Sequence, residues 1–462
     1  MPAAALPPDR LFPADPRTRD LARELHALVS DAPIVSPHGH VDPRILVDDA
    51  PFPDPAALLI TGDHYVTRLL HAGGASLPEL GIGSDAAPAR EVWRRFCAGW
   101  PRFAGTASAG WLTETLAAQF GITDLAAVDP DLSFDTISAA LARPESRPRA
   151  LFASFRIAVL ATTDDPLDDL APHAALAASE LPGHVIPTFR PDAYLDPADP
   201  RWGERVEGLL AATGGSGYSG YLHGLESRRR HFIDHGAVSA DHGVLSPRTI
   251  TLDPGQAAAL FDRARAGRTT PTENADFLAH MLTESARMSV EDGLVMTIHA
   301  GALRGHHAPT TAAFGPDRGH DIPVATEFTR NLRPLLERFG TAPGFHLILF
   351  TLDESTWSRE LAPLAGFYPS VYVGAPWWFL DASDAIRRFR AAVTETAGFW
   401  RGSGFIDDTR AFLSIPARHE VARRLDAGYL AGLVVQDRLT LPAARRLVVD
   451  LVDAIPRAAF KL

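Results

Sequence analysis

Two histidines separated by one residue stand directly after the first apolar run of the chain. The run Ala32–Val35 is typical of a buried strand, and His38 and His40 close it. Because side chains at positions i and i+2 of a strand point the same way, both imidazoles are aimed at one spot. Neutral imidazole is a preferred ligand of zinc and similar ions, and Asp42 is placed to orient such a ligand. The spacing alone also fits solvated loop histidines, so further ligands must be sought elsewhere.

Carboxylates and more histidines follow later apolar runs in the same way. They are His235, His299, Asp164, Asp165, Asp407 and Asp408. A catalytic divalent site needs about three nitrogen or oxygen ligands and one open position, so two histidines and one distant carboxylate suffice. A helix cap is the alternative role for Asp408, but a cap needs no cation two residues on, where Arg410 stands.

Arginines recur after the same runs, at Arg190, Arg304 and Arg410. A single arginine is usually a surface residue. Three beside a metal site indicate an anionic substrate, since the guanidinium fork binds a carboxylate through two hydrogen bonds. Trp377 and Trp378 fit either core packing or a pocket wall that stacks on the apolar face of a sugar.

His64 and Tyr65 lie at the start of a predicted helix. Adjacent helical residues do not share a face, but at a helix start both side chains can reach one cavity. Histidine and tyrosine are ordinary groups for moving protons next to a carbonyl. A position on the helix surface is the alternative for this pair.

Eight apolar runs, each followed by a helical stretch, predict the architecture. After the run before His38 they are Ile157–Thr163, Val185–Phe189, His231–Ile233, Leu294–Ile298, Phe345–Phe350, Val371–Val373 and Gly404–Ile406. Eight such units predict a closed parallel (β/α)8 barrel of TIM type, whose chemistry sits at the carboxyl ends of the strands. An open doubly wound sheet is the alternative, but the chain has no Gly-rich phosphate loop.

The predicted organisation has three parts. Residues 1–44 hold an N-terminal helix and the first strand, residues 45–148 a helical insertion between strands one and two, and residues 149–462 the rest of the barrel.

The composition of the chain limits which partners it can bind and which cellular compartment it fits. The chain has 462 residues and a formal net charge of −12, which argues against binding nucleic acid or an anionic membrane. No window approaches 18 apolar residues in a row, and the N-terminus lacks a basic signal-peptide region. The single cysteine, Cys97, excludes an internal disulfide and fits a structural thiol in a reducing cytoplasm. The sequence is compatible with a homo-oligomer as well as with a monomer.

Taken together, the motifs resemble the uronate isomerases (glucuronate/galacturonate isomerases), a divergent branch of the metal-dependent amidohydrolase superfamily. The resemblance runs nearly end to end and rests on motifs in the order of the family. They are Ser36–His40, Asp63–Tyr65, Thr162–Pro166, Pro187–Asp192, His299–Arg304, Gly374–Phe379 and Asp408–Ser414.

The resemblance implies roles for individual residues. It implies a site for one divalent metal ion, expected to be zinc, bound by His38, His40 and Asp408. It also implies proton handling by Asp408, with His64 and Tyr65 closing over the substrate. The predicted substrate-binding residues are Arg190, Arg410, Arg304, His299, Trp377 and Trp378.

The implied reaction interconverts an aldo-uronate and a keto-uronate by moving a proton between C2 and C1 through a cis-enediol. D-glucuronate would become D-fructuronate, and D-galacturonate would become D-tagaturonate.

Some residues depart from the family pattern. The family's last motif commonly reads Thr-Asp-Ser-Arg, so Asp407 competes with Asp408 as the ligand. His306 and His307 stand where asparagines are frequent, which affects the expected substrate preference. The bridging lysine of the superfamily is not evident, so one metal is expected rather than two.

Two other functions compete with the isomerase. A hydrolase or lactonase of the same superfamily would use water as its nucleophile. A sugar-acid binding protein would gain little from the set His38, His40 and Asp408.

Overall fold

The structure is a computed structural model and describes residues 6–462. The strands are β1 (Ile34–Ser36), β2 (Ile157–Ala161), β3 (His184–Ile186), β4 (Ser239–Val244), β5 (Val295–Ala300), β6 (Ala302–Leu303), β7 (Ile322–Pro323), β8 (Leu347–Thr351) and β9 (Val371–Val373).

The first ten helices are α1 (Pro16–Ala27), α2 (Arg44–Asp48), α3 (His64–Ala72), α4 (Ala89–Gly99), α5 (Ala107–Phe120), α6 (Pro130–Leu141), α7 (Pro148–Ser154), α8 (Ala171–Ala177), α9 (Asp192–Leu195) and α10 (Trp202–Thr213). The others are α11 (Gly217–Asp234), α12 (Pro254–Arg265), α13 (Pro271–Asp292), α14 (Ala308–Phe314), α15 (Arg333–Phe339), α16 (Ala362–Phe367), α17 (Ser383–Ala397), α18 (Ile415–Val435), α19 (Leu441–Val452) and α20 (Ala454–Phe460). Each of these described helices is too short or too polar to cross a membrane.

Parallel pairing closes the sheet into a barrel. Ladders join β1, β2 and β3 and, separately, β4, β5, β8 and β9. The N–H of Phe189 donates to the Ser239 carbonyl (3.2 Å) and so links the two ladders. Residues 402–409 fill the place of the eighth strand. Ser403 donates to the Val373 carbonyl, and His40 donates to the Thr409 carbonyl, both at 3.0 Å. The predicted (β/α)8 barrel is therefore confirmed.

The predicted fourth strand is wrong. His231–Ile233 lies inside helix α11, and the strand is β4 instead. Tyr221, Leu225 and Phe232 form the buried face of the helix, with the spacing that a helix requires. β4 reads Ser-Ala-Asp-His-Gly-Val, which is small and polar, so no apolar run marked it.

Alternation along β5 explains which side chains face the inside of the barrel. Met296 and Ile298 belong to the apolar cluster shared with the surrounding helices. Val295 belongs to a separate cluster, together with side chains of β8. Thr297 and His299 are in step with Val295, so they point inward as well.

The described elements between β1 and β2 are all helical. These helices have a core of their own, in which Trp93, Phe96 and Phe103 are fully buried. The predicted helical character of the insertion is thus confirmed, whereas the division of the chain at residues 44 and 148 stays a prediction.

Candidate active site

Two strand ends bring His38, His40 and Asp408 together. Asp408 Oδ1 lies 3.0 Å from His40 Nε2 and 3.5 Å from His38 Nε2. One nitrogen or oxygen atom from each of the three residues lies within 4.8 Å of the others. The closure of the barrel beside β1 produces this convergence, because it sets residues 402–409 against the end of the first strand.

A second group shares His38 and adds two residues from neighbouring strands. It consists of His38, Asp241 of β4 and His299 of β5. His299 Nδ1 lies 2.6 Å from Asp241 Oδ1, and His38 Nε2 lies 4.0 Å from Asp241 Oδ2. Asp241 was missed from the sequence because its strand was missed. The only signal for it was an acidic residue in a short run between two helical stretches.

The donor set of the first group fits a divalent metal ion. His38 Nε2 is buried and has no hydrogen-bond partner among the described residues, as a nitrogen kept for a metal would be. Burial lowers the pKa of His38 to about 4, so its imidazole is neutral, which is the ligating form. Although burial opposes it, the imidazoles of His40 and His38 hold the pKa of Asp408 well below its usual range. Asp408 is therefore ionised.

The structure distinguishes the two adjacent aspartates. Asp408 has a φ of +40°, a region that aspartate and asparagine tolerate better than most residues, and its carboxylate faces His40. Asp407 Oδ2 lies 3.1 Å from His419 Nε2, away from that cluster, and its backbone carbonyl accepts from Arg418. Asp408 is thus the aspartate that approaches the two histidines.

His64 and Tyr65 begin helix α3, and their rings stack with centroids 4.7 Å apart. The Asp63 carboxylate caps the helix by accepting from the Tyr65 N–H at 2.8 Å. Burial lowers the pKa of His64 to about 3, with Arg410 acting in the same direction. Burial also raises the pKa of Tyr65, so the phenol stays protonated near neutral pH.

A buried arginine holds Tyr65 in place. The Arg418 guanidinium stacks over the rings of Trp111 (3.6 Å to the centroid) and Tyr65 (5.0 Å). It also donates to Asp381 Oδ2 at 2.9 Å. Because Arg418 is only 1% exposed, this contact ties the insertion firmly to the barrel.

The three predicted arginines fall into two places. Arg304 and Arg410 both pair with the carboxylate of Asp317, at 3.1 and 3.4 Å. Arg190 lies elsewhere and pairs with Asp192 (2.8 Å) and Asp241 (3.2 Å). Although burial opposes it, Arg410 and Arg304 lower the pKa of Asp317, so this carboxylate stays ionised between them.

Two cavities lie beside the cluster and share lining residues. The larger has a volume of about 880 Å³, enough for a small-molecule ligand, and Arg190 and His299 line it. The smaller is lined by His40, His64, Tyr65, Trp378, Asp408 and Arg410, among others. Arg304 and Trp377 line both cavities. The predicted catalytic and substrate-binding residues thus line two cavities that share a wall.

Other candidates lie outside these two cavities. Asp165 accepts from the Tyr194 hydroxyl at 2.6 Å, and Asp164 accepts from the Thr162 hydroxyl at the same distance. His235 follows helix α11, before the start of β4, and so lies at the opposite end of the barrel from His38, His40 and Asp408. Burial raises the pKa of the half-buried Cys97 thiol to about 11, which makes it a poor nucleophile.

Comparison with known proteins identifies the family. The family model described as "Glucuronate isomerase" matches residues 17–458. A uronate isomerase of Corynebacterium efficiens is 50% identical over 461 residues, which cover 98% of each chain. The crystal structure of glucuronate isomerase from Caulobacter crescentus is 47% identical and covers 99% of this chain and 97% of its own, with a TM-score of 0.96. The chain therefore belongs to the glucuronate isomerase family and is an isomerase.

Proposed function

We propose that the protein interconverts an aldo-uronate and a keto-uronate with the help of one divalent metal ion, zinc. The substrates would be D-glucuronate, which yields D-fructuronate, and D-galacturonate, which yields D-tagaturonate. The observation that supports this most is the meeting of His38, His40 and Asp408 beside paired arginines, in a chain of this family. The lone thiol fits work in a reducing cytoplasm.

We assign the metal to His38, His40 and Asp408, whose nitrogen and oxygen donors suit zinc. When bound, such an ion acts as a Lewis acid toward the carbonyl and hydroxyl oxygens of the substrate. The unpartnered, buried Nε2 of His38 supports this assignment.

Asp408 is the proposed base of the reaction. Its ionised carboxylate takes the proton from C2 of the aldose, which leaves a cis-enediol, and then returns a proton to C1. A second proton must also move, from the hydroxyl on C2 to the oxygen on C1. With both transfers complete, C1 carries a hydroxyl and C2 a carbonyl.

Tyr65 and His64 serve the two oxygens. The protonated phenol of Tyr65 donates a hydrogen bond to the oxygen on C1, and the neutral His64 imidazole accepts one from the hydroxyl on C2. Their shared place in the cavity beside Asp408 supports this role. Arg418 keeps the phenol oriented, since it packs against the Tyr65 ring.

The arginines are proposed to recognise the substrate carboxylate. Arg410 is assigned to this carboxylate together with Arg304, because both already bind the carboxylate of Asp317. Arg190, which lines the other cavity, is assigned to the same recognition from the side of the hydroxyl next to the carboxylate. Trp377 and Trp378 supply a wall for its apolar face.

The test is incubation of the metal-loaded protein with D-glucuronate and with D-galacturonate, with ketose formation followed by NMR. We expect keto-uronate from at least one of them and none with Asp408→Asn. If neither uronate is consumed while a uronolactone is hydrolysed, the protein is a hydrolase and the proposal fails.

A further inference from the structure

Asp241 is a buried carboxylate for which the reaction described above has no use. Its side chain is fully buried on β4 and makes three close contacts. Oδ1 accepts from the Thr297 hydroxyl and from His299 Nδ1, both at 2.6 Å, and Oδ2 lies 3.2 Å from an Arg190 nitrogen. A charge buried at this depth is costly unless it is paired. We therefore ask what these partners do in the site.

The ring of His299 is held on both faces. It stacks on Phe350 with centroids 4.0 Å apart and on His38 at 4.7 Å, and Trp377 meets it edge-on. These contacts fix the plane of the ring, and the contact with Asp241 fixes which nitrogen faces which way. With Nδ1 turned to Asp241, Nε2 points toward Asp408 Oδ2, which lies 4.0 Å away.

The charge of Asp241 decides which nitrogen of His299 carries the proton. Oδ1 of this carboxylate lies 2.6 Å from His299 Nδ1 while Oδ2 faces Arg190, and a carboxylate oxygen paired with a guanidinium is a hydrogen-bond acceptor. Nδ1 must therefore bear the hydrogen, and Nε2 keeps its lone pair. Nε2 is buried and has no partner among residues 6–462. An acceptor left open inside the reaction cavity is suited to a hydroxyl donor.

We infer that Asp241 is a positioning residue, which holds His299 as a hydrogen-bond acceptor for a hydroxyl group of the sugar acid. The inference rests on the proposed uronate substrate and adds to it a residue outside the metal ligands and the arginine pair. Asp241 itself does not touch the substrate. It acts through the ring of His299, and its contact with Arg190 links the two substrate-binding residues of the larger cavity.

The sharpest variant is Asp241→Asn, which keeps size and shape. Arg190 can only donate, so the new amide oxygen turns to Arg190 and the amide NH2 turns to His299. Nδ1 must then accept, and Nε2 becomes a donor. We expect kcat/KM for the uronate to fall by about 10–100-fold while the metal content stays at the wild-type level.

Two further variants separate positioning from plain support of the fold. Thr297→Val removes the other hydrogen bond to the same oxygen but leaves the His299 contact, so we expect less than about a 3-fold change in kcat/KM. In His299→Gln, adding Asp241→Asn should change kcat little, because the amide oxygen still faces Arg190 and the imidazole that Asp241 acts on is absent.

A spectroscopic readout keeps the test independent of turnover. In protein labelled with ¹⁵N-histidine, the His299 signal, assigned by its loss in His299→Gln, should report the Nδ1–H tautomer in wild type and Nε2–H in Asp241→Asn. Wild-type kcat/KM in Asp241→Asn, or additive effects in the double variant, would overturn the inference. Loss of metal in step with activity would also overturn it and make Asp241 a ligand. If the wild type turns over no uronate, the proposed function fails. The tautomer measurement still tests whether Asp241 sets the protonated nitrogen of His299.

Discussion

Two neighbouring regions of this molecule carry charge in opposite ways. The buried centre consists of His38, Asp241, His299 and Asp408, whose side chains are between 0 and 7% exposed. The arginine rim consists of Arg304, Asp317 and Arg410, whose side chains are between 37 and 50% exposed. In the centre several polar atoms lack partners, whereas each charge of the rim is paired.

The difference indicates a division of work. Water screens the ion pairs of the rim, so they hold each other weakly and can be exchanged for the carboxylate of a substrate. Charges in the centre are shielded from water, so their geometry is fixed and a missing partner is expensive. If the rim binds the substrate carboxylate and the centre carries out the reaction, as proposed, substitutions in the two regions should have different effects.

The largest effect is expected for Asp408→Asn. Asparagine tolerates the positive φ of this position, so the fold should survive, but a neutral amide neither takes a proton nor binds the metal well. We expect kcat/KM to fall by at least about 10³-fold, with loss of bound metal. Kinetics and metal analysis measure both.

The matched control is Asp437→Asn, since Asp437 also has a positive φ (+55°) but is exposed. It should behave as wild type. An Asp408→Asn enzyme with normal metal content and normal kcat would remove Asp408 from the centre's chemistry.

Arg410→Lys should have the next largest effect. Lysine keeps the positive charge but loses the fork that matches a carboxylate. We expect a loss of roughly 1.5–3 kcal/mol in transition-state binding, seen in kcat/KM, with metal stoichiometry unchanged. Arg333→Lys, at an exposed arginine paired with Glu337, is the control. Unchanged kcat/KM, or metal lost together with activity, would place Arg410 outside substrate recognition.

Acidification should reveal the burial of His64, which lies between the two regions. The pKa of His64 is lowered from 6.5 to about 3 in the folded protein, mainly by burial. Below about pH 6.5 the His64 side chain of the unfolded protein is protonated, whereas that of the folded protein stays neutral. The free energy of unfolding therefore decreases as the pH falls from there toward about 3.

Between pH 7 and 5.5, wild type should lose about 1 kcal/mol more unfolding free energy than His64→Gln. Urea unfolding at the two pH values measures this difference. His71→Gln, at an exposed histidine, should track wild type. Equal losses in wild type and His64→Gln would show that the imidazole is open to water.

The smallest effect is expected for Asp317→Asn. Removing this charge frees Arg410 and leaves Arg304 paired with Asp321 alone, so a uronate meets less competition. We expect KM to fall by about 2–5-fold, or up to ~1 kcal/mol, with kcat unchanged. Asp384→Asn, which breaks an exposed pair with Arg387, is the control. A higher KM would mean that Asp317 orients the arginines for the substrate instead of competing with it.

The same two regions differ in how far the sequence predicts them. Period-two spacing puts His38 and His40 on one side, and a closed barrel sets the eighth strand beside the first, so their approach to Asp408 follows from local pattern plus topology. Asp241 is not predicted from the sequence because β4 has little apolar content. The apolar residues in the last turn of α11 look like a short strand, so the fourth strand is predicted there instead.

The rim was predictable only in part. Arg304 and Arg410 were recognised as candidates from their position after strands. Their common partner, Asp317, lies on a loop with a φ of +57°, 93 residues before Arg410 in the sequence. No periodicity reports such a contact, since it depends on how the segment between β6 and β7 folds over the insertion.

The most direct test of the centre's role follows the hydrogen on C2. D-glucuronate carrying deuterium at C2 is converted in ordinary water, and the deuterium at C1 of the ketose is measured by mass spectrometry and NMR. If Asp408 carries that hydrogen as a proton, part of the label is exchanged with solvent while it rests on the carboxylate, so the ketose contains less deuterium at C1 than the substrate did at C2. Complete retention of the label at C1 would show that the hydrogen never exchanges with solvent on its way from C2 to C1, and would contradict the account.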